Sequence, residues 1–297
     1  MIENLRPRLD HLQFSSLAGK GIMADVLRLD LLHPIVSGNK WFKMKEYLED
    51  ARAKKHSTIL SFGGAYSNHI VALAAAAKEQ GFRSIGIIRG EEPATLSSTL
   101  LMARELGMQL YFTTREAYRH KLVPAAVSRQ HSNYYLIHEG GYGNLGAKGA
   151  QHMLDFYGSA TYTHILTPVG TGTTLAGLTE AAAAHQTVMG ISVMKNNPTL
   201  ANSVTALLPE DKRSQFKIYH EYHCGGYARY TKELIDFMNK WFTITHIPSD
   251  FVYTGKLFLA FNDLLEQNYF TAGSKVLLIH SGGLQGNSSL PNGTLIF

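Results

Sequence analysis

The feature that most constrains the fold is a repeated succession of a short apolar run, a glycine-rich joint and a helix-like stretch. Residues 57–62 read as a buried strand ending at Gly63 and Gly64. Residues 67–80 then read as a helix, opened by a Ser/Asn cap and closed before Gly81. A strand at 84–89, a helix at 95–106 ending at Gly107 and a strand at 109–113 follow. Wiring of this βαβαβ kind brings each strand back parallel to the last and leaves helices on the sheet faces. The pattern returns with a strand at 134–138, a helix at 146–157, a strand at 164–168, an Ala-rich helix at 174–185 and a strand at 188–193. Helices at 230–241 and 255–267 and a last strand at 276–280 complete it. The expected fold class is α/β: two three-layer α/β/α domains with mostly parallel sheets. No repeat, low-complexity tract or Pro-rich linker separates the two blocks, so the change near residue 140 reads as a change of sheet rather than a tether.

The chain's 297 residues suffice for one large domain or two linked ones with an ample core. The formal charge of +5 comes without a long basic run, which argues against a nucleic-acid arm and is compatible with an anionic small molecule. A single cysteine, Cys224, excludes an intrachain disulfide and a cysteine-based zinc site, and points to a reducing, cytoplasmic compartment. The 14 histidines show no HExxH spacing, so no metal is expected. The first ten residues carry Glu3, Arg6, Arg8 and Asp10 without an apolar centre, unlike a secretory signal. The most apolar stretch, 70–77, is too short to span a bilayer, and no membrane association is expected.

Five places can carry chemistry. Lys40 follows Ser37, Gly38 and Asn39 in what reads as a turn. Trp41, Phe42 and Met44 would bury it, and apolar surroundings lower a lysine's pKa toward the range of an amine nucleophile. Ser67, Asn68 and His69 sit between a strand and a helix, where they either cap the helix or border an anion site made by its free N–H groups. Gly170, Thr171, Gly172, Thr173 and Thr174 form a hydroxyl-rich joint at another helix start. It suits a terminal monophosphate better than a pyrophosphate, and no P-loop lysine follows it. Ser281 lies just past the last strand, at the end where open α/β sheets gather ligands. Tyr253 is either a core aromatic or a phenol over the reacting atoms.

In this order the pieces resemble the pyridoxal-phosphate (PLP) enzymes of the tryptophan-synthase-β fold type, and more narrowly the family of 1-aminocyclopropane-1-carboxylate (ACC) deaminase and D-cysteine desulfhydrase. The residues that carry the resemblance also include Arg28, Leu29, Asp30, His33, Pro34, Glu139, Gly140, Gly141, Gly225, Gly226, Tyr227 and Lys256, so most of the chain is covered. The resemblance implies PLP bound in a cleft between a large domain (1–42 plus 139–297) and a small one (43–138), and a homodimer acting on a small amino acid. It implies Lys40 as the Schiff-base lysine and Asn68 as partner of the ring hydroxyl. Ser67, Asn68 and His69 would form the substrate-carboxylate loop. Thr171, Gly172, Thr173 and Thr174 would form the phosphate cup. Ser281 would face the pyridine nitrogen, and Tyr253 would be an active-site tyrosine.

The chain departs from the ring-opening members at two points. Leu278 stands where a second tyrosine is sought on the last strand, and Ser281 offers a neutral hydroxyl where those enzymes use an acid. A hydroxyl holds a pyridinium less firmly than a carboxylate does, which weakens the electron sink. The expectation is therefore β-elimination from D-cysteine or a similar β-substituted amino acid, giving pyruvate and ammonia, ahead of ACC deamination. Racemisation or dehydration of serine, a non-catalytic PLP-binding protein and a nicotinamide enzyme using the Gly170 loop are the rivals.

Overall fold

The computed structural model describes residues 6–36, 38–131 and 133–297. Ser37, at the head of the Lys40 motif, and Glu3, in the N-terminal segment, lie outside the described residues. The strands are β1 (Arg8–His11), β2 (Met23–Arg28), β3 (Thr58–Gly63), β4 (Arg83–Arg89), β5 (Gln109–Thr113), β6 (Tyr135–Ile137), β7 (His164–Val169), β8 (Thr187–Ser192), β9 (Phe216–Tyr219) and β10 (Lys275–His280). They form a six-stranded sheet in the order β1-β2-β10-β7-β8-β9 and a four-stranded sheet in the order β5-β4-β3-β6. The β1–β2 pair is antiparallel and every other pairing is parallel.

The parallel strands are buried on both faces, which is why they read as apolar runs rather than alternating ones. Helices Lys232–Thr245 and Thr254–Glu266 cover one face of the larger sheet, where Trp241 stacks on Phe258 at 4.5 Å among Leu166, Ile191 and Leu278. Helix Thr173–Ala181 packs on its other face with Ile165, Val188 and Ile279. The Ala-rich helix Asn68–Glu79 is buried against the smaller sheet.

The structure corrects the reading of Lys40 as part of a turn. Lys40 is the second residue of a 15-residue helix, Asn39–Ala53, that spans the two sheets' cores. Its Phe42 joins the core of the large sheet, while Trp41, Met44 and Leu48 join that of the small one. A helix buried on several sides has no single apolar stripe, so its period was not legible. Its near approach to helix Asn144–Gln151 requires glycine: a Cβ on Gly149 would stand 2.0 Å from the Phe42 carbonyl oxygen. Glu46, buried on the same helix, is paired with Lys148 at 2.7 Å.

Strands β1, β2 and β9 were not expected. β1 and β9 are four-residue edge strands, and β2 ends in the buried charge of Arg28, which breaks its apolar pattern. Arg28 is satisfied by a fork of bonds to Asp30 at 2.9 and 2.7 Å and by Asp10 at 2.7 Å. No helix among the described residues is long and apolar enough to cross a membrane.

Replacing Gly149 with Ala should cost about 2 kcal/mol or more, because backbone meets the new methyl. Gly19→Ala, in an exposed helix with nothing within 4 Å of the added Cβ, should be neutral or stabilising. Thermal melts of the two variants against the parent check this pair.

Candidate active site

The loops that leave the carboxyl ends of β2, β3, β6, β7 and β10 converge on one cavity of about 1040 Å³. Convergence at this end follows from parallel wiring, which puts every strand-to-helix joint on the same side of its sheet. The cavity brings together Lys40, Ser67, Asn68, His69, Thr171, Gly172, Thr174, Tyr253 and Ser281. Thr173 lies beneath this surface, fully buried, with its hydroxyl 3.1 Å from that of Thr171.

Lys40 is held by its own helix start. Gly38 has φ +71° and a Cβ there would lie 1.8 Å from the Ser281 carbonyl oxygen, so only glycine permits the approach. The Asn39 N–H donates to that same oxygen at 3.2 Å. Asn39 Nδ2 donates to Thr174 Oγ1 at 2.9 Å, and Lys40 Nζ donates to Asn39 Oδ1 at 2.9 Å. The lead-in is fixed by His33, whose Nδ1 accepts from the Ile35 and Val36 N–H groups while Nε2 pairs with Glu79. Burial pushes the Lys40 amine down to about 8, against an opposing pull from the Asp250 carboxylate.

Asp250 is buried completely, beneath the cavity floor. Its two oxygens accept from the N–H groups of Val252, Tyr253 and Thr254 and from the Thr254 hydroxyl, at 2.7 to 3.0 Å. This cap starts helix Thr254–Glu266 and fixes Tyr253 at its mouth. The Tyr253 ring centre is 5.8 Å from Lys40 Nζ. Burial first, then the neighbouring Tyr227 phenol, holds the Tyr253 hydroxyl well above its ordinary pKa, so it keeps its proton.

Helix Thr173–Ala181 starts at Gly172, whose φ of +89° opens the joint, and no side chain caps it. Its first N–H groups are therefore free to bind an anion. Lys43, one turn along from Lys40, was not singled out in the sequence; its ammonium donates to the Gly140 carbonyl, next to Thr171. Burial and the charge of Lys40 hold its pKa well below the usual lysine value. The signal for it was present as two lysines three apart in a helix, which share a face.

Ser67 caps helix Asn68–Glu79, its oxygen accepting from the Ile70 N–H. His69 turns inward, with Nε2 2.8 Å from the Ser61 hydroxyl. Burial, then Lys43 and Lys40, holds its pKa well down, so the ring is neutral and offers no charge to a carboxylate. Asn68 Oδ1 and His69 Nδ1 are buried without a hydrogen-bond partner in the protein. Unpartnered polar atoms of this kind fit a polar ligand rather than a dry core.

Tyr227 lines the cavity beside Tyr253. Leu278 lies in the closed core beneath the sheet, whereas the Tyr253 hydroxyl donates to the Tyr227 hydroxyl at 3.4 Å and the rings meet edge-on. Across the mouth, Tyr118 and Lys121 both hold the carboxylate of Glu139.

A part-buried amine of lowered pKa, an uncapped helix start rich in hydroxyls, and unpartnered polar atoms in one cavity suit a phosphate-bearing aldehyde cofactor, and these residues fit PLP. Residues 15–282 match the model of the family described as "Pyridoxal-phosphate dependent enzyme", and the chain belongs to that family. It is a PLP-dependent enzyme. Relatives from Pyrococcus furiosus and Thermotoga maritima, both named "Putative 1-aminocyclopropane-1-carboxylate deaminase", are 29% and 28% identical to it. They cover 92% and 88% of this chain and 87% and 88% of their own lengths. A mitochondrial protein of Arabidopsis thaliana named as a bifunctional D-cysteine desulfhydrase/1-aminocyclopropane-1-carboxylate deaminase is 26% identical over 84% of this chain and 70% of its own length. The crystal structure of an ACC deaminase homologue superposes with a TM-score of 0.81 at 24% identity, covering 97% of this chain and 92% of that one, which is a likeness of fold.

Because the Lys40 amine sits near 8, capture of PLP by the apoprotein should accelerate as pH rises through about 8, where the neutral amine becomes the main form. An unshifted lysine would give a rate still climbing steeply near pH 10. Rates of cofactor uptake between pH 6 and 10, followed by absorbance, check this.

Proposed function

We propose that the chain deaminates a small amino acid by β-elimination, D-cysteine or a similar β-substituted amino acid giving pyruvate, ammonia and the leaving group. The observation that carries the reading is the placement of Lys40. Its depressed amine is tied through Asn39 to Thr174 of the anion cradle and faces the Tyr253 ring.

Bound PLP supplies the electron sink for charge developing at the substrate Cα. In this reading Lys40 carries the cofactor and, once released, takes the Cα proton as general base. Thr171, Gly172, Thr173 and Thr174 hold the phosphate with the helix start, and Lys43 adds the cation beside them. Asn68 would meet the ring hydroxyl and Ser281 would face the pyridine nitrogen. Ser67 and the N–H groups around it hold the substrate carboxylate, with Asn68 and His69 as neutral walls. Tyr253 sets selectivity and holds a proton near the substrate's β-position. The small domain, residues 43–138, would close on the large one, 1–42 plus 139–297, and exclude water. The same reading makes the protein a cytoplasmic homodimer.

A second reading, ACC ring opening, gains support from the Tyr253–Tyr227 pair, which sets a second phenol beside Tyr253 although the last strand carries Leu278. The neutral Ser281 hydroxyl still favours elimination, because a good leaving group drains charge that a weaker sink stabilises less. The relatives' names cover both reactions.

Lys40→Ala should abolish the visible absorbance of the bound cofactor and nearly all turnover; full activity in that variant would sink the assignment. Thr171→Val with Thr174→Val should raise the PLP dissociation constant by at least about tenfold, two hydrogen bonds to a charged group being lost. Unchanged retention on dialysis would misplace the cradle. Assays with D-cysteine and with ACC then separate the two readings: pyruvate and sulfide from the first support elimination, and 2-oxobutanoate from the second supports ring opening.

A further inference from the structure

Tyr227 stands in a segment whose backbone is unusual for its residues. Cys224 (φ +48°), Gly225 (+93°), Gly226 (+118°) and Ala228 (+52°) all lie on the left-handed side, which a residue with a Cβ rarely adopts. Local turn bonds contribute: Gly226 N donates to the His223 carbonyl at 2.9 Å, Gly225 N to His223 Nδ1 at 3.0 Å, and Arg229 N to the Gly226 carbonyl at 3.1 Å. Among the described residues, the hydrogen bonds that tie this segment to the rest of the protein come from one place. Tyr253 Oη donates to Tyr227 Oη at 3.4 Å and Lys256 Nζ donates to the Gly226 carbonyl at 2.8 Å. Tyr253 is the residue just before helix Thr254–Glu266 and Lys256 lies in its first turn, three residues on.

Lys256 is completely buried, and burial lowers its amine to about 8 although Cys224 and Asp250 pull the other way. Burying an ammonium against a carbonyl is costly, and an apolar side chain of similar length would fill the same space without that cost. Packing alone therefore gives no reason for a lysine here. We propose that Lys256 is a positioning residue that pins the Gly226 carbonyl and so holds the Tyr227 phenol over the cavity, within reach of Tyr253. The inference rests on the reading above in one respect, that the tyrosine pair faces the substrate. Lys256 touches neither substrate nor cofactor. It acts through the strained segment, and the helix that carries Tyr253 thereby also sets Tyr227.

The test uses holoenzyme of the parent, K256M, K256R, Y227F and K256M/Y227F. Arg229 is exposed within the segment and followed by Tyr230, so trypsin reports on its release. K256M should be cut after Arg229 at least about tenfold faster than the parent, and K256R, which keeps a donor and a charge, should stay near the parent rate. On the amino acid that is turned over, K256M should lower kcat about tenfold, yet cost less than about twofold in the Y227F background, because both changes remove the same interaction. Equal cleavage rates, or losses that simply multiply, would overturn the proposal. If K256M does not accumulate as folded holoenzyme, K256L, which likewise has no donor, is measured in its place with the same expectations. Failure of the underlying reading would appear separately, as a Y227F holoenzyme whose turnover equals that of the parent.

Discussion

The site depends on the contact between the backbone at Gly38 and Asn39 and the carbonyl oxygen of Ser281. The oxygen is bonded to the Asn39 N–H at 3.2 Å and leaves no room for a side chain on Gly38. This contact ties the Lys40 helix to the end of β10 in the large sheet, while the body of that helix is packed into the core of the small one. Asn39 then distributes the constraint, reaching Thr174 with one side-chain atom and Lys40 with the other. The position of the amine, the hydroxyl cradle and the β10 joint are thus set by one close approach rather than by three independent loops.

Electrostatics divide the cavity by role. Lys40 and Lys43 set two amines side by side, and each lies below its ordinary pKa, chiefly through burial. An uncapped helix start and a second cation suit a phosphate. The neutral His69, the protonated Tyr253 and the orphaned Asn68 oxygen surround the remaining space with hydrogen-bonding groups that carry no charge. Asp250, saturated by backbone and hydroxyl donors, acts from below by capping the helix that presents Tyr253.

Much of the fold was legible because parallel strands and their following helices write a simple pattern. β5 has the bounds read from sequence, and β3, β4 and β7 agree within a residue at each end. The Asn39–Ala53 helix was not legible, since it carries buried Lys43 and Glu46 among its apolar residues and serves two cores. The cavity gathers the residues that the resemblance pointed to, with Thr173 directly beneath. Tyr227 belongs to the resemblance, but its place beside Tyr253 depends on a run of left-handed residues that no periodicity announces, and Lys43 depends on a helix where the sequence reads as a turn.

Two buried lysines with depressed pKa values line the same cavity, so the central claim is that Lys40, and not Lys43, carries the cofactor. Borohydride reduction of the purified holoenzyme followed by peptide mass mapping addresses it most directly. The account predicts a phosphopyridoxyl group on Lys40 alone. The group on Lys43, or on any other lysine, would contradict it.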